Sequence, residues 1–282
     1  MSLRHLPEAK TFPRPQNYQW DAPSDVLTKW ADTPMLAASE DETTISILDV
    51  IGEDWWTGGG FTAKRMAGAL RSIGERDVTV LINSPGGDMF EGIAIYNLLR
   101  QHKAKVTIEV LGWAASAASI IAMAGDEIRM GLGTFMMVHN AWGMVVGNRH
   151  DMREAAGLFD QFDSAIADIY EARTGQARKD IEDLMDAETF MGPGEAVKHG
   201  FADIVDEGIE AIEADAKAEN QGLMARRQTE AALARAGFSR NDRSRMMQEM
   251  GVGARRDASP TTERDAGVSV ADVQRLIETL KN

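Results

Sequence analysis

The chain has 282 residues, 44% of them hydrophobic and 26% charged, which suits a globular protein with one large domain and extensions. Its formal charge of -14 argues against nucleic acid as the main partner, because nucleic-acid-binding surfaces are basic. The absence of cysteine excludes disulfides, thiol catalysis and zinc–thiolate sites. No apolar run approaches the ~20 residues that cross a bilayer. The first residues also lack the apolar stretch of a secretory signal, so we expect a cytoplasmic protein.

Strand and helix alternate along the first half of the chain, after an N-terminal arm. Residues 1–40 carry Pro7, Pro13, Pro15 and Pro23 with little periodicity, which predicts an extended or poorly ordered arm. From Thr44 onward, the order of the elements indicates an α/β domain whose strands are largely parallel. The predicted elements are the strand TISILDVI, the turn WWTGGG, the helix FTAKRMAGALRSIG, the strand DVTVLINS, the turn SPGGD, the helix MFEGIAIYNLLRQH, the strand VTIEVLGWA and the short helix SAASIIAMAG.

The next part of the chain departs from that alternation. DEIRMGLGTFMMVHNAW predicts two short strands around a Gly-Leu-Gly turn, and a long amphipathic helix follows over 152–173 and ends before Gly175. A short helix over 177–185 and the segment ETFMGPGEAVKHGFADIVDE then close the compact region near Glu207. These patterns place one domain at 41–207, between the arm and a C-terminal extension.

The extension, residues 208–282, has a different composition. Between positions 223 and 256, eight arginines and three acidic residues give a local charge of +5 in an otherwise acidic chain. A linker-like stretch follows, and then a short amphipathic helix over 270–282. This pattern predicts an extension that is partly helical or disordered, and that either docks on another surface or stays solvated.

One of the five histidines stands out as a candidate catalytic residue. His5, His102, His150 and His199 lie in the arm, at helix ends or in a loop, where structural roles explain them. His139 instead ends the apolar strand FMMV, at the mouth of a buried strand. A histidine in that place is by itself more often structural than catalytic, so its neighbours must decide.

Ser116 and a glycine turn supply the other parts of a candidate acyl-transfer site. Ser116 lies where an apolar strand turns into an apolar helix, so the N–H of Ala117 is an unpaired donor beside its hydroxyl. An N-cap role for Ser116 explains this segment equally well. Gly86 and Gly87 follow a strand and open a helix, so their backbone can approach a substrate and donate hydrogen bonds, although such a turn is common.

The order and spacing of these motifs resemble the proteolytic subunit of the Clp protease. The pattern begins with INSPGG and an amphipathic helix. It continues with G-x-A-A-S and a strand that ends in V-H. It closes with F-M-x-x-x-E-A-x-x-x-G-x-x-D, and the whole match covers roughly 44–207. The resemblance implies a serine endopeptidase with Ser116 as the nucleophile and His139 as its general base. It also implies that Gly87 and Ala117 are the oxyanion donors, with Gly86 beside them at the substrate.

The acid of the implied triad is the member on which the sequence departs from the family. The family's acid stands two residues before the phenylalanine of the last motif, which here is Glu188 before Phe190, where aspartate is usual. A glutamate can orient an imidazole at the cost of one more rotatable bond. Asp186 is the nearest substitute. Ala118 stands where the family typically has glycine.

The resemblance also implies an architecture and partners. The fold expected is a ClpP/crotonase-type spiral of β-β-α units, with the helix over 152–173 as a protruding handle through which homo-oligomeric rings meet. An extended protein substrate is expected to add as a strand beside the site, with no cofactor and no metal. No phosphate-binding loop of the form G-x-x-x-x-G-K-[ST] is present, so any ATPase would be a separate protein. No nucleic acid or membrane partner is expected.

WWTGGGFTA and the long extension resemble the Clp-type proteases encoded with tailed-phage head genes. That branch implies maturation of a prohead by cutting scaffold or capsid precursor, in the host cytoplasm or within the prohead. The alternatives are a catalytically weak or inactive scaffold or head-assembly protein, and a host-type Clp subunit that degrades unfolded proteins with a separate ATPase. A crotonase-type acyl-CoA enzyme and a Ser–Lys peptidase fit less well. The first needs no Ser–His pair, and no lysine lies between Lys105 and Lys179.

Overall fold

The structure is a computed structural model that describes residues 18–33, 36, 38–39, 41–53, 60–209 and 218–249. Its elements up to the candidate nucleophile are β1 (Tyr18–Trp20), α1 (Ser24–Ala31), β2 (Thr44–Ile47), α2 (Ala63–Ile73), β3 (Val78–Ser84), α3 (Met89–Arg100), β4 (Val106–Ala115) and α4 (Ala117–Ala122). The remaining elements are β5 (Glu127–Met130), β6 (Phe135–Val138), β7 (Gly143–Val145), α5 (Arg149–Thr174), α6 (Arg178–Asp186), β8 (Thr189–Met191), α7 (Pro193–Lys198), β9 (Ile204–Val205), α8 (Ala218–Arg235) and α9 (Arg240–Glu249).

A parallel sheet in the order β2-β3-β4-β5-β9 forms the centre of the fold. The long strand β4 pairs with β5 along its first half and with β6 along its second half, so the chain winds from one layer of the sheet to the next. β8 pairs with β6 in the antiparallel sense. Most apolar side chains of β3 and β4, such as Val80, Ile82 and Ile108, are fully buried, because helices cover the parallel sheet. The predicted α/β spiral is confirmed.

The long helix α5 matches the predicted handle, with a start at Arg149 instead of residue 152. Asn148 and Asp151 form a capping box at its N-terminus, and Gly175 ends it in the left-handed conformation with a φ of +70°. Its C-terminal half buries Phe162 and Tyr170 in the core. The first two turns are largely exposed, so this end of the helix protrudes.

Four elements form a layer outside this core, and we call β1, α1, α8 and α9 the outer layer. β1 pairs antiparallel with β7, and α1 packs against α8. The guanidinium of Arg243 in α9 forms a buried ion pair with Asp21. The guanidinium of Arg227 in α8 lies 3.8 Å from the ring centroid of Trp30 in α1, in cation–π contact. The N-terminal and C-terminal parts of the described chain are therefore in direct contact.

Helix α1 lies inside the arm for which the sequence indicated only extended or poorly ordered chain. It has eight residues, too few for a clear periodic signal or for stability alone, and it forms because Val26, Leu27 and Trp30 are buried against the rest of the protein. Three other predicted features lie outside the described residues: most of the WWTGGG turn, the linker and the helix over 270–282. In the part of the chain that the structure describes, no helix has both the length and the apolar character of a membrane span.

Candidate active site

Ser116 occupies the sharp turn between β4 and α4. Its backbone has a φ of 56° and a ψ of -126°, a region that L-residues with a side chain rarely adopt. Hydrogen bonds hold this turn: the Ser116 N–H donates to Met137 O, and the Ser119 N–H donates to Ser116 O. Ser116 occupies the N-cap position of α4, as the alternative from the sequence predicted, but its side chain makes no capping hydrogen bond there. Its hydroxyl is directed elsewhere.

The Ser116 hydroxyl is hydrogen-bonded to His139. The distance between Ser116 Oγ and His139 Nε2 is 2.6 Å, and each residue is only 7% exposed. The sheet explains this proximity, because β6 pairs with the end of β4 and His139 directly follows β6. Burial lowers the pKa of His139 to about 4, and the negative charge of Asp25 in α1 opposes that effect. The imidazole is therefore neutral near neutral pH and can accept a proton.

Two glycines bring the SPGG turn against the nucleophile. Gly86 has a φ of +89°, and a Cβ at this position would lie 2.6 Å from Ser116 Cβ. Gly87 has a φ of +142°, and its Cβ would lie 2.3 Å from Ile51 O. Only glycine fits such close backbone approaches. Among the described residues, neither the Gly87 N–H nor the Ala117 N–H donates a backbone hydrogen bond. Both are thus available to a substrate oxygen.

The cavity at this site is small, about 20 Å³, and the pair Ser116 and His139 contributes to its wall together with Gly87 and Ala117. Ala118, the other departure from the family pattern, is fully buried in α4. The structure therefore brings together four of the six residues that the sequence singled out for the site in one cavity, with Gly86 in contact behind them.

Glu188 is not part of that cavity in the described structure. It follows α6, its side chain is exposed, and its φ is +49°. Asp186, the substitute acid, accepts a hydrogen bond of 2.7 Å from Nδ2 of Asn140, the residue after His139. Within the described residues, neither carboxylate is hydrogen-bonded to the imidazole of His139.

Sequence reasoning missed Asp163, which supports the segment after His139. Its carboxylate accepts a hydrogen bond of 2.6 Å from the Ala141 N–H, and burial raises its pKa to about 6. The residue stands on α5 next to the buried Phe162. The sequence signal that could have identified Asp163 is an acidic residue next to the apolar face of a predicted helix. Asp21 and Trp142, which also contribute to the wall of the catalytic cavity, gave no such signal.

Comparison with known proteins identifies what this fold and site resemble. Residues 65–208 match the family model described as Clp protease. The ATP-dependent Clp protease proteolytic subunit of Deinococcus radiodurans is 34% identical over 133 residues, which is 46% of this chain and 65% of the relative. The ATP-dependent Clp protease proteolytic subunit 1 of Synechococcus sp. is 32% identical over 137 residues, 46% of this chain and 68% of the relative.

A solved structure of a ClpP1 mutant from Listeria monocytogenes has a similar fold. The TM-score is 0.51 at 23% sequence identity, and the match covers 60% of this chain and 93% of that chain. At this identity the likeness concerns the fold alone. The arm and the extension lie outside the residues that match the family model.

Proposed function

Because the chain belongs to the Clp protease family, we propose that it is a serine endopeptidase in which Ser116 is the nucleophile and His139 the general base. One observation carries the proposal: the hydrogen bond of 2.6 Å between Ser116 Oγ and His139 Nε2, in a turn where the serine backbone is strained. Strain of this kind persists where the surroundings enforce it, and it concentrates at functional sites.

The proposed reaction is acyl transfer through the serine. His139 takes the hydroxyl proton as Ser116 Oγ attacks the scissile carbonyl carbon, and the N–H groups of Gly87 and Ala117 stabilise the oxyanion. The imidazolium returns that proton to the amine as the C–N bond breaks, which leaves an acyl-enzyme. Water then attacks the ester, with His139 again as base, and releases the carboxylate product and the free serine. No metal or cofactor enters these steps.

We assign the third member of the triad to Glu188. Its support is the backbone: in the described part of the chain, Ser116 and Glu188 are the two residues other than glycine with positive φ. In this role the carboxylate of Glu188 would accept a hydrogen bond from Nδ1 of His139, orient the ring and stabilise the imidazolium. Asp186 is instead engaged by Asn140.

For the substrate, we propose an extended protein segment that adds as a strand beside the site, in a homo-oligomeric ring whose contacts include the protruding end of α5. The WWTGGGFTA motif and the extension favour maturation of a phage head, with scaffold or capsid precursor as the protein cut. The second candidate is a host-type subunit that works with a separate ATPase, since the relatives named above are of that kind. A catalytically weak assembly protein is the third, because Glu188 does not contact His139.

An activity probe tests the central assignment. A fluorophosphonate should label the assembled wild-type protein on Ser116 and should fail to label Ser116→Ala. Ser119→Ala is the matched control, because this buried serine lies in the same helix and its hydroxyl is hydrogen-bonded to Tyr170 at 2.8 Å. Labelling of Ser116→Ala, or no labelling of the assembled wild type, would overturn the peptidase assignment. Native mass spectrometry with and without residues 208–282 tests the ring.

A further inference from the structure

A second cavity, of about 210 Å³, lies beside the catalytic one and is built mainly by the outer layer. Trp142 and Met144 form one side of it, and Phe238, at the junction of α8 and α9, forms another. Asp21 and Trp142 contribute to the walls of both cavities. Trp142 lies only three residues after His139. A substrate side chain bound in this cavity would therefore belong to a residue close to the scissile bond.

Three arginines give the cavity its charge, and they are not equivalent. Arg243 is only 3% exposed and is paired with Asp21 and with Glu230, at 3.4 Å from the latter, so its charge is balanced inside the protein. Arg235 and Arg240 also contribute to the wall, and neither has a carboxylate partner among the described residues. Arg240 donates only to a backbone oxygen, Glu53 O, at 2.9 Å. Arg235 and Arg240 thus place two positive charges at the cavity wall that form no ion pair within the described part of the chain.

Arg243 also has a buried hydrogen-bond donor. The Nε of Arg243 is buried and has no hydrogen-bond partner in the described structure. A buried donor without a partner is energetically costly. The same arginine fixes Asp21 at the boundary of the two cavities.

We propose that this cavity is a specificity pocket for an acidic side chain of the substrate, glutamate in particular, next to the scissile bond. The methylene groups of the glutamate would pack on Trp142, Met144 and Phe238. Its carboxylate would pair with the guanidinium groups of Arg235 and Arg240, which are suited to bidentate contacts. The pocket deepens the proposed peptidase function, on which it rests. Asp21, Phe238 and all three arginines lie outside the residues that match the family model, so the pocket is an addition by this chain's own extensions.

Peptide binding to the full-length Ser116→Ala chain tests the pocket without turnover. Three sets of fluorescent peptides are compared, which carry Glu, Gln or Leu at one variable position and are otherwise identical. Within each set, the variable position is moved through about six consecutive positions of the peptide. At one position we expect the Glu peptide to bind about tenfold more tightly than the Gln peptide. Arg235→Gln and Arg240→Gln, each added to Ser116→Ala, should remove most of that preference.

The control is Arg245→Gln. Arg245 is exposed on the same helix as Arg240 and pairs with Asp242, so its replacement should leave the preference unchanged. Among the described residues, the side chain of Arg235 has no hydrogen-bond or ion-pair partner to lose, which keeps the test valid if Arg240→Gln loosens α9. Equal binding of the Glu and Gln peptides at every position would overturn the pocket, and so would tightest binding of Leu.

The outcome for the pocket is separable from the outcome for the peptidase. Fluorophosphonate labelling of the wild type together with equal Glu and Gln binding would overturn the pocket alone. A Glu preference without labelling would support the pocket and overturn the peptidase.

Discussion

The core and the outer layer are built from different parts of the chain. The strands of the core bury apolar side chains such as Val80, Ile108 and Val110 completely, and they carry the residues that match the Clp protease family. The outer layer also buries apolar side chains, such as Leu27 and Trp30, and its N-terminal and C-terminal parts are joined by two charged contacts, the ion pair of Arg243 with Asp21 and the contact of Arg227 with Trp30. The comparison teaches that the proposed chemistry belongs to the core, whereas the groups that would select a substrate belong to the added layer.

The largest expected effect concerns the core alone. Glu188→Gln should lower kcat by about 10²–10⁴-fold, because the imidazole would lose the proposed acid that orients it and stabilises its cationic form. Asp186→Asn is the matched control and should change kcat little, because an asparagine can still accept the hydrogen bond from Asn140. The measurement is steady-state hydrolysis of a fluorogenic peptide. If Asp186→Asn is the variant that abolishes turnover, Asp186 is the acid.

The next effect distinguishes a glycine at the site from a glycine in a remote turn of the core. Gly87→Ala should lower kcat by about 10²–10³-fold, because its Cβ would displace the backbone that donates to the oxyanion. Gly133→Ala places the same change at another glycine of positive φ, +73°, with no heavy atom of the described structure, apart from its chain neighbours, within 4 Å of its Cβ. That control should cost about 1 kcal/mol of stability and leave kcat unchanged. Equal kcat values for the two variants would remove Gly87 from the oxyanion site.

A third change separates the stability of the two regions. Arg243→Met leaves the buried carboxylate of Asp21 unpaired, which should destabilise the outer layer by about 3–5 kcal/mol. Hydrogen exchange should rise in α8 and α9 and stay slow in β3 and β4. The double variant Asp21→Leu with Arg243→Met should recover much of the protection, because no buried charge of that pair remains. A comparable rise in β3 and β4 would show that the two regions unfold together.

The smallest expected effect couples the two regions. Burial lowers the pKa of His139 to about 4, and Asp25 of the outer layer keeps it from falling further. The base must be neutral to accept a proton, so activity should persist well below the ordinary pKa of histidine. It should fall only as the pH drops toward the lowered pKa of His139, about 4. Asp25→Asn should move this acid limb of kcat/KM slightly lower. Asp32→Asn, at the end of the same helix, should leave it in place. A limb at or above the ordinary histidine pKa would instead indicate that the proposed acid, Glu188, reaches the imidazole during turnover and outweighs the effect of burial.

The sequence predicted the core well because its signals are local. Alternating strands, helical periodicity and the motifs around Ser116 and His139 each occupy a short stretch, and parallel pairing of β4 with β6 then brings the two residues together. The outer layer could not be predicted in this way. Its α1 is too short to show periodicity, and Asp21 and Arg243 are 222 positions apart, so no local pattern links them. The second cavity depends on that link and was invisible in the sequence for the same reason.

The contact between α1 and α8 also affects the order in which parts of the protein fold during synthesis on the ribosome. The core strands and His139 are synthesised before α8 and α9, and contacts that close a loop of this length are entropically late. The hydroxyl–imidazole pair can therefore form while α1 still lacks its helical partner and the second cavity has only one wall. A nascent chain would gain its proposed chemistry before its proposed selectivity, so the newest copies of this protein would be the least discriminating ones.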